Sequence, residues 1–424
     1  MRLTRTLAAL LCAGLVTACG GTGDRDGDRD RDRDRDRDSA PRPDPDVATS
    51  WGPTRGEVAR AAQIVSRWSP ERLAGQVIVG RYHGTDPAVP AALVRDLHLA
   101  GMSVTTENVV DADQVAATTS AIAQAHAADG RDWPAVVGVD QEGGVVAHLR
   151  GIATEFPSFM TAGAAVAAQG KAGERAVTDA ARATGLELRG LGFTWVFAPV
   201  ADVTIGAADP TIGTRSPSTE PRVAARTVAA AVRGYDGAGL VSTTKHVPGH
   251  GSVTADSHET LPLLGRPLGE LRRRDLPPFA AAIAAGAPAV MMGHLDVAAL
   301  APGVPSSQAP EVYDFLREDL GFEGVAITDS LGMGAALTQD YPAVRALRAG
   351  ADLLLMPVDP STTHQIVADA IRSGEVARGR AEQAAARVVA LQLWQQRAAA
   401  DVPVPQDVVA LAQQAAAALT AAGG

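Results

Sequence analysis

Short apolar runs alternate with longer, Ala-rich amphipathic stretches along most of the chain. A continuous apolar run bounded by Gly, Pro or polar residues is typical of a strand that is buried on both faces. Eight such runs predict strands: Val77–Val79, Met102–Val104, Ala135–Val139, Trp195–Val200, Leu240–Thr244, Ala289–Met292, Val325–Thr328 and Asp352–Met356. The stretches between them predict helices: Asp111–Ala128, Gly173–Leu191, Arg222–Ala238, Leu268–Ala285, Ala309–Leu320, Ala335–Arg348 and Thr362–Arg372.

The regular alternation of strands and helices predicts an α/β protein with one parallel sheet. Eight is the number of strands that closes a (β/α)8 barrel, the TIM barrel. We therefore predict a single barrel domain over residues 51–400, followed by a C-terminal helical extension at 401–424. Extra terminal helices, at Arg378–Leu393 and Val408–Leu419, are expected to pack outside the barrel.

The first 18 residues have the pattern of an export signal. Two arginines precede the apolar run Leu7–Val16, which is too short to span a bilayer. Residues 16–19, Val-Thr-Ala-Cys, resemble a bacterial lipobox, which implies cleavage before Cys19 and acylation of its thiol. An ordinary secretory signal with an incidental cysteine is the alternative. We therefore expect an extracytoplasmic protein that is lipid-anchored to the cell membrane through Cys19.

Residues 19–50 separate this signal from the barrel. Asp24–Asp38 is a near-perfect Asp-Arg alternation with eight Asp and six Arg, so its charges nearly cancel. A segment without apolar side chains has no surface to bury and stays disordered. We interpret residues 19–50 as a disordered, hydrated tether between the membrane and the folded domain.

Composition excludes several classes of function. The net charge is −10 and no basic patch occurs, so nucleic acid is not an expected partner. Both cysteines lie in the first 20 residues, so the folded part has neither disulfides nor a Cys-ligated metal site. We expect a monomer.

Polar residues follow five of the predicted strands at the points where those strands end. Asp140, Lys245-His246 and Asp329 come directly after an apolar run, and Asp202 and His294 come one residue later. An acid in such a place is often only a helix cap. In a barrel of this kind, however, the carboxyl ends of all strands meet at one rim, where the chemistry lies. Five strands that deliver polar groups to one rim predict an active site there.

Residues 240–262 contain the densest cluster of polar groups. Three of the nine histidines fall within 13 residues here, and Lys245 is one of only two lysines among the 38 Lys and Arg residues. A lysine in so arginine-rich a chain indicates a compact ammonium group that hydrogen-bonds a ligand. Pro248, Gly249 and Gly251 predict a loop after the strand, and that loop carries Asp256 and His258.

These residue types favour a retaining glycosidase. Asp329 ends an apolar strand with no Ser or Cys nucleophile motif nearby, so its carboxylate is the natural nucleophile. An imidazole hydrogen-bonded to a carboxylate, as His258 with Asp256, suits a general acid and base. A carboxylate nucleophile with an acid/base group is the scheme of retaining glycosidases, most of which use a second carboxylate as the acid. Glu142 and Glu259 therefore remain alternatives to His258.

The remaining charged residues at the rim are candidate ligands for sugar hydroxyls or for a metal. Asp140, Arg215, Lys245 and His246 are expected to hydrogen-bond a polyhydroxylated ligand. Zinc is the competing interpretation, with His246, His250, Asp256 and His258 as ligands. Their gaps of 4, 8 and 12 residues match no standard zinc-ligand spacing. We therefore expect neither a metal nor a cofactor.

Six ordered motifs within residues 66–360 resemble bacterial β-N-acetylglucosaminidases of glycoside hydrolase family 3 (the NagZ type). The signature is Lys-His-Val-Pro-Gly-His-Gly at 245–251, followed by Asp-Ser-His at 256–258 and Pro262. The others are Gly-Val-Asp-Gln-Glu-Gly-Gly at 138–144, Phe-Ala-Pro-Val-Ala-Asp-Val at 197–203, Ile-Gly-Thr-Arg-Ser at 212–216, Met-Met-Gly-His at 291–294, and the segment 320–333 around Asp329.

The resemblance implies a TIM barrel and metal-independent, retaining cleavage. Asp329 takes the place of the nucleophile, and His258, paired with Asp256, takes that of the acid/base. Asp140, Arg215, Lys245 and His246 match positions that hold the hydroxyls of a non-reducing N-acetylglucosamine. We expect these four residues and His148 to bind the substrate.

Two departures from the family pattern concern the segment after Gly143-Gly144. The family continues there with Arg, whereas this chain has Val145, and His148 stands where a second sugar-contacting Arg usually lies. A neutral His does not replace a bidentate Arg. We therefore expect sugar affinity, or the preferred group beyond the sugar, to differ from the family.

The leading functional hypothesis is an exo-acting β-N-acetylglucosaminidase that trims GlcNAc from peptidoglycan fragments outside the membrane. Some family members use phosphate in place of water, so a GlcNAc phosphorylase is the second hypothesis. A lipoprotein that binds wall sugars without catalysis is the third. The complete set of Asp329, Asp256 and His258 argues against the third hypothesis, because a binding protein needs no nucleophile.

Overall fold

The computed structural model describes residues 44–424. The predicted signal peptide at 1–18, Cys19 and most of the predicted tether lie outside the described residues. Residues 44–50, which we expected in the tether, belong instead to the compact unit that begins at Asp44. Backbone hydrogen bonds hold them there: Thr49 N–H donates to the carbonyl of Pro53 (2.8 Å), and Gly56 N–H donates to that of Pro45 (2.8 Å).

The described residues form a closed parallel barrel, as the sequence predicts. Its eight strands are β1 (Ile78–Gly80), β2 (Gly101–Val104), β3 (Val136–Val139), β4 (Trp195–Val196), β5 (Val241–Val247), β6 (Ala289–Met292), β7 (Val325–Thr328) and β8 (Leu354–Leu355). Each strand pairs in parallel with the next along the chain, and β1 pairs with β8. A parallel bridge between Ile327 and Leu353 joins β7 to the last strand and closes the barrel.

Helices surround this sheet. They are α1 (Arg55–Val65), α2 (Pro70–Gln76), α3 (Ala88–Asp96), α4 (Ala112–Ala128), α5 (Phe159–Gln169), α6 (Lys171–Gly190), α7 (Pro221–Asp236), α8 (Leu268–Arg274), α9 (Pro277–Ala284), α10 (Pro310–Asp314), α11 (Pro342–Ala349), α12 (Pro360–Ser373), α13 (Arg378–Asp401) and α14 (Val408–Gly423). The two terminal helices lie outside the barrel, where α13 packs on α1 and α2 and α14 packs on α5 and α6. In the part of the chain that the structure describes, no helix combines the length and apolarity that a membrane crossing requires.

Proline accounts for two errors in the predicted helix boundaries. The predicted helix Leu268–Ala285 is divided into α8 and α9, because Pro277 has no N–H with which to continue a helical hydrogen-bond ladder. The predicted helix Ala335–Arg348 begins only at Pro342, since the residue before a proline is disfavoured in the right-handed helical conformation. Residues 336–338 form a separate 3-10 turn.

Side-chain caps begin several helices where the sequence places a small polar residue. Ser69 accepts a hydrogen bond from the N–H of Arg72 at the start of α2, as its position before Pro70 predicts. Asp111 caps α4, and Asp359 caps α12 in the same way.

Candidate active site

A cavity of about 380 Å³ opens at the carboxyl ends of the barrel strands. Seven of the eight predicted catalytic and sugar-binding residues line it: Asp140, His148, Arg215, Lys245, His246, His258 and Asp329. The eighth, Asp256, contacts the imidazole of His258. These polar groups come from the ends of four strands, β3, β4, β5 and β7, and meet in one cavity together with the apolar side chains of Val146, Ile212, Met291, Met333, Leu355 and Met356.

Lys245 lies at the centre of the ionic contacts on the cavity floor. Its side chain is only 2% exposed, and its ammonium contacts Asp140 Oδ1 and Glu142 Oε1, the latter at 2.6 Å. Burial opposes the charged form, but the carboxylates of Asp140 and Glu142 raise the pKa of Lys245 above its usual value. The ammonium therefore stays charged and keeps Asp140 oriented.

Glu142, which the sequence left open as a proton donor, is an ion-pair partner instead. Its side chain is 2% exposed, and Arg215 binds it with both Nε and Nη2 at 2.9 Å. Burial alone would raise the pKa of Glu142, but the charges of Lys245 and Arg215 lower it to about 2. Glu142 is therefore an anion at neutral pH and holds no proton to donate.

Asp202 orients two histidines at the end of β5, His246 and His250, a role that its position after a strand did not predict. One of its carboxylate oxygens lies 2.7 Å from His246 Nδ1, and the other accepts the backbone N–H of His250 at 2.6 Å. Asp202 is fully buried. Because the carboxylate accepts Nδ1–H, the Nε2 atom of His246 is directed away from it, on the side of the cavity that the residue lines.

Asp256 and His258 form the local pair that their spacing predicts. Asp256 Oδ1 lies 2.7 Å from His258 Nδ1 and also accepts the backbone N–H of His258 at 2.9 Å. Burial opposes ionisation of Asp256, but these two hydrogen bonds lower its pKa below the usual value. The pair holds the ring with Nδ1 toward the carboxylate and leaves Nε2 outside that contact.

The loop that carries this pair is attached to the loop that follows Asp329. Gly334 N–H donates to the carbonyl of His258 (3.0 Å), and Ala335 N–H donates to that of Ser257 (3.2 Å). On the other side, the buried hydroxyl of Ser257 lies 2.8 Å from His250 Nε2. The position of His258 therefore depends on contacts from two different strand-end loops.

Asp329 directly follows β7 and is partly exposed to the cavity. Its Oδ1 accepts the N–H of Ser330 at 2.7 Å. Burial would raise the pKa of Asp329, but the imidazoles of His246 and His294 help to hold it below its usual range. The carboxylate is ionised at neutral pH and is available to a ligand in the cavity.

His148 has a defined tautomer. Its Nδ1 accepts the backbone N–H of Thr106 at 3.3 Å and lies 2.7 Å from the hydroxyl of the same residue. An N–H can only donate, so Nδ1 carries no proton and the proton resides on Nε2, 4.0 Å from Asp140 Oδ2. Burial also lowers the pKa of His148. His148 thus presents one neutral donor beside Asp140. Val145, the other departure from the family pattern, is exposed and does not line the cavity.

The residues of the competing zinc interpretation take separate partners. His246 contacts Asp202, His250 contacts Ser257, and His258 contacts Asp256. Among residues 44–424, no group of three or more His, Cys, Asp or Glu side chains has the arrangement of a metal site.

The sequence also matches a known protein family over most of the described residues. The model of the glycosyl hydrolase family 3 N-terminal domain matches residues 73–391. A β-hexosaminidase of Stenotrophomonas maltophilia is 38% identical over 262 residues, which cover 61% of this chain and 76% of that protein.

Two solved structures agree with this match. The family 3 β-N-acetylglucosaminidase from Paenibacillus sp. str. FPU-7 has a TM-score of 0.73 and 31% identity, covering 81% of this chain and 68% of that one. A family 3 glycosyl hydrolase from Mycobacterium smegmatis has a TM-score of 0.68 and 30% identity, covering 77% and 98% of the respective chains.

Proposed function

The chain belongs to glycosyl hydrolase family 3 and is a glycoside hydrolase, and from this premise we propose that it is a retaining exo-β-N-acetylglucosaminidase. Its relatives named β-hexosaminidase and β-N-acetylglucosaminidase support this choice of sugar. The observation that carries the proposal is the pairing of Asp256 with His258 on the wall of the cavity that Asp329 enters.

In the first step, a carboxylate oxygen of Asp329 attacks C1 of the terminal sugar, and the bond from C1 to the glycosidic oxygen breaks. His258 Nε2 gives its proton to the departing oxygen, while Nδ1 keeps its own proton and donates a hydrogen bond to Asp256. The lowered pKa of Asp329 supports its assignment as the nucleophile, because only the anion attacks. The product of this step is a covalent glycosyl-enzyme ester.

In the second step, water attacks C1 from the face that the aglycone has left. The neutral His258 Nε2 takes the proton from this water, and Asp329 departs as a carboxylate. Two inversions at C1 give net retention. Asp256 stabilises the imidazolium in both directions, because its carboxylate accepts the hydrogen bond from Nδ1–H throughout.

His258 is a better candidate for the acid/base than either glutamate. Glu142 is held as an anion by Lys245 and Arg215, so it has no proton to transfer. Glu259 is exposed and does not line the cavity, although it follows His258 directly. His258 is the cavity-lining member of this loop that has a carboxylate partner to stabilise its charged form.

The ionic groups around Lys245 suit the recognition of sugar hydroxyls. Asp140 is 22% exposed and keeps acceptor capacity toward the cavity while Lys245 neutralises its charge. Arg215, Lys245, His246 and His148 supply donors around the same space. Charged hydrogen bonds of this kind are roughly twice as strong as neutral ones, so they position the ring for attack.

We propose peptidoglycan fragments as the natural substrates. Export and lipid anchoring through Cys19, expected from the sequence, would place a monomeric enzyme outside the cytoplasm, where wall fragments are found. A terminal, non-reducing GlcNAc is the group that an exo-acting enzyme removes from such fragments.

The test is the release of nitrophenol from 4-nitrophenyl β-N-acetylglucosaminide by the full-length chain, with and without phosphate, with identification of the sugar product. Free GlcNAc with β configuration, released at a rate independent of phosphate, is the expected result. GlcNAc-1-phosphate with strong phosphate stimulation would make the protein a phosphorylase. No turnover in either condition would contradict the proposed activity and favour a sugar-binding protein.

A further inference from the structure

Asp275 is a buried acid close to the active site that takes no part in the proposed chemistry. It directly follows α8 and is fully buried. The hydroxyl of Ser252 donates a hydrogen bond to Asp275 Oδ1, whereas Oδ2 has no hydrogen-bond partner among the described residues. Burial of a carboxylate oxygen without a partner costs free energy, which indicates that this side chain does more than fill space.

The surroundings of Asp275 stabilise its ionised form only in part. Burial raises the pKa of Asp275 to about 6, although the hydrogen bond from Ser252 opposes the rise. Arg266 contacts Glu270, and Arg274 donates to a backbone carbonyl at 2.9 Å, so both arginines use hydrogen bonds on other groups. The charged groups that act on Asp275 are Arg266 and Arg274, which lower its pKa, and Asp202, which raises it. Asp275 is therefore mostly ionised at neutral pH and becomes neutral below about pH 6.

Asp275 supports the beginning of the acid/base loop, the name we give to residues 249–258. A Cβ at Gly249 would lie 2.9 Å from Asp275 Cβ, so the backbone of the loop packs directly on this residue. The hydrogen bond from Ser252 attaches the loop a second time. On the other side, the carbonyl of Gly251 accepts the N–H of Ile205 at 2.9 Å. The start of the loop is thus held between Asp275 and the segment that follows β4.

The end of the acid/base loop depends on this supported beginning. His258 and Asp256 have side chains that are 61% and 40% exposed, so few neighbours hold the pair itself. Ser257, between them, is buried, and its hydroxyl lies 2.8 Å from Nε2 of His250, which belongs to the supported segment. Contacts therefore run without interruption from Asp275 through Ser252 and His250 to the residue that precedes His258.

We propose that Asp275 is a positioning residue for the acid/base loop, whose carboxylate, by accepting the hydroxyl of Ser252, sets the place of His258 beside the departing oxygen. This inference rests on the proposed function. An ionised carboxylate accepts a stronger hydrogen bond than a neutral carboxyl group. The support is therefore strongest above about pH 6 and weakens when Asp275 takes up a proton.

The experiment compares Asp275→Asn with the unsubstituted full-length chain on two β-N-acetylglucosaminides, with rates referred to titrated active sites. The methyl glycoside needs a proton from His258 as its alcohol leaves, whereas 2,4-dinitrophenolate leaves without one. At pH 7.5, the variant should lower kcat/KM about tenfold for the methyl glycoside and less than twofold for the dinitrophenyl glycoside. At pH 5, where Asp275 is itself neutral, the two proteins should differ less than twofold on both substrates.

A second variant and a control connect this result to the contact with Ser252. Ser252→Ala removes the hydroxyl and should give the same selective loss at pH 7.5, and the double variant should lose no more than either single variant. Glu187→Gln is the matched control, because Glu187 is a buried acid whose pKa is also raised by burial. It accepts hydrogen bonds from Thr154, which lies outside the acid/base loop, so both rates should stay within twofold.

The outcomes separate the positioning role from the function on which it rests. Equal losses on the two substrates, or a selective loss that persists at pH 5, would overturn the role of Asp275 while the proposed activity stands. The same selective loss in Glu187→Gln would also overturn it. If Asp275→Asn does not fold, the rates of Ser252→Ala decide between a selective loss, which supports the role, and none, which contradicts it. Failure of the unsubstituted enzyme to cleave either glycoside would overturn both proposals.

Discussion

The two ends of the barrel each contain a buried carboxylate network, and the two networks differ in one respect. At the amino end, Asp352 precedes β8 and is fully buried, with Arg317 at 2.6 Å, Arg380 at 2.7 Å and Arg387 at 3.1 Å. The backbone N–H of Ala326 donates to the same carboxylate. All the acceptor capacity of Asp352 is thus used within the protein.

At the carboxyl end, the network is left open toward the cavity. Glu142 is enclosed by Lys245 and Arg215, but Asp140, on the other side of Lys245, remains partly exposed. Buried ion pairs are costly to form and costly to break. The closed network is therefore expected to affect stability alone, whereas we propose that the open network binds the ligand through its one partly exposed carboxylate, Asp140.

The largest effect expected is on activity, from Asp329→Asn. The amide has the shape of the carboxylate but is not a nucleophile, so kcat should fall by roughly 10⁴-fold or more. The free energy of unfolding should stay the same or rise slightly, because active-site carboxylates are kept at some cost to stability. Steady-state kinetics and urea unfolding of the same preparation check both parts. A residual rate above one per cent would contradict the assignment of the nucleophile.

Asp352→Asn is the matched change at the amino end of the barrel. It should lower stability and leave activity nearly unchanged. It leaves three arginines around an uncharged amide, so the free energy of unfolding should fall by about 3–5 kcal/mol. For the folded fraction, kcat/KM should remain within twofold of the unsubstituted value. Urea unfolding measures the free energy of unfolding. Steady-state kinetics give kcat/KM, and active-site titration gives the folded fraction to which it is referred. A large loss of activity per folded molecule would show that the two ends are coupled.

Acid unfolding tests whether the buried carboxylates of both networks have lowered pKa values in the folded protein. The folded-state pKa of Glu142 is lowered to about 2 from 4.5, so its contribution to stability is complete above pH 4.5 and is lost as the pH falls toward 2. The contribution of Asp352, whose pKa its three arginines lower against the effect of burial, is lost below pH 3.8. In Glu142→Gln, the dependence of the unfolding free energy on pH between 4.5 and 3 should become shallower. An unchanged slope would contradict a charged Glu142 in the folded protein.

Local sequence patterns predicted the barrel and the pairs formed by near neighbours. The eight apolar runs were sufficient to predict the strands because each strand is buried on both faces. Asp256 and His258 are two residues apart, so their pairing is a local property. Proline explains where the helix predictions failed.

Long-range contacts could not be predicted from the same patterns. Lys245 contacts Asp140 across 105 residues, and Arg215 contacts Glu142 across 73. Nothing local distinguishes Glu142 from a proton donor, since its lowered pKa comes from charges on other loops. Likewise the three arginines around Asp352 resemble surface charges in a chain so rich in arginine.

The smallest effect expected comes from adding a methyl group at Gly334. This residue contacts the loop that carries His258 at the carboxyl end of the barrel. A Cβ at Gly334 would lie 2.5 Å from the carbonyl oxygen of Glu259 and 2.9 Å from that of His258, so the loop carrying His258 must shift. In Gly334→Ala, a displacement of a fraction of an ångström should lower kcat/KM by about tenfold. The loss should be greater for methyl than for 2,4-dinitrophenyl β-N-acetylglucosaminide, because the dinitrophenolate leaves without a proton. Gly332→Ala is the control on the same loop, since the atom nearest to its Cβ would be the flexible end of Arg81 at 3.3 Å, and its other contacts are at ordinary van der Waals distance. Equal losses on both substrates would show that the loop contact does not position His258 as the acid.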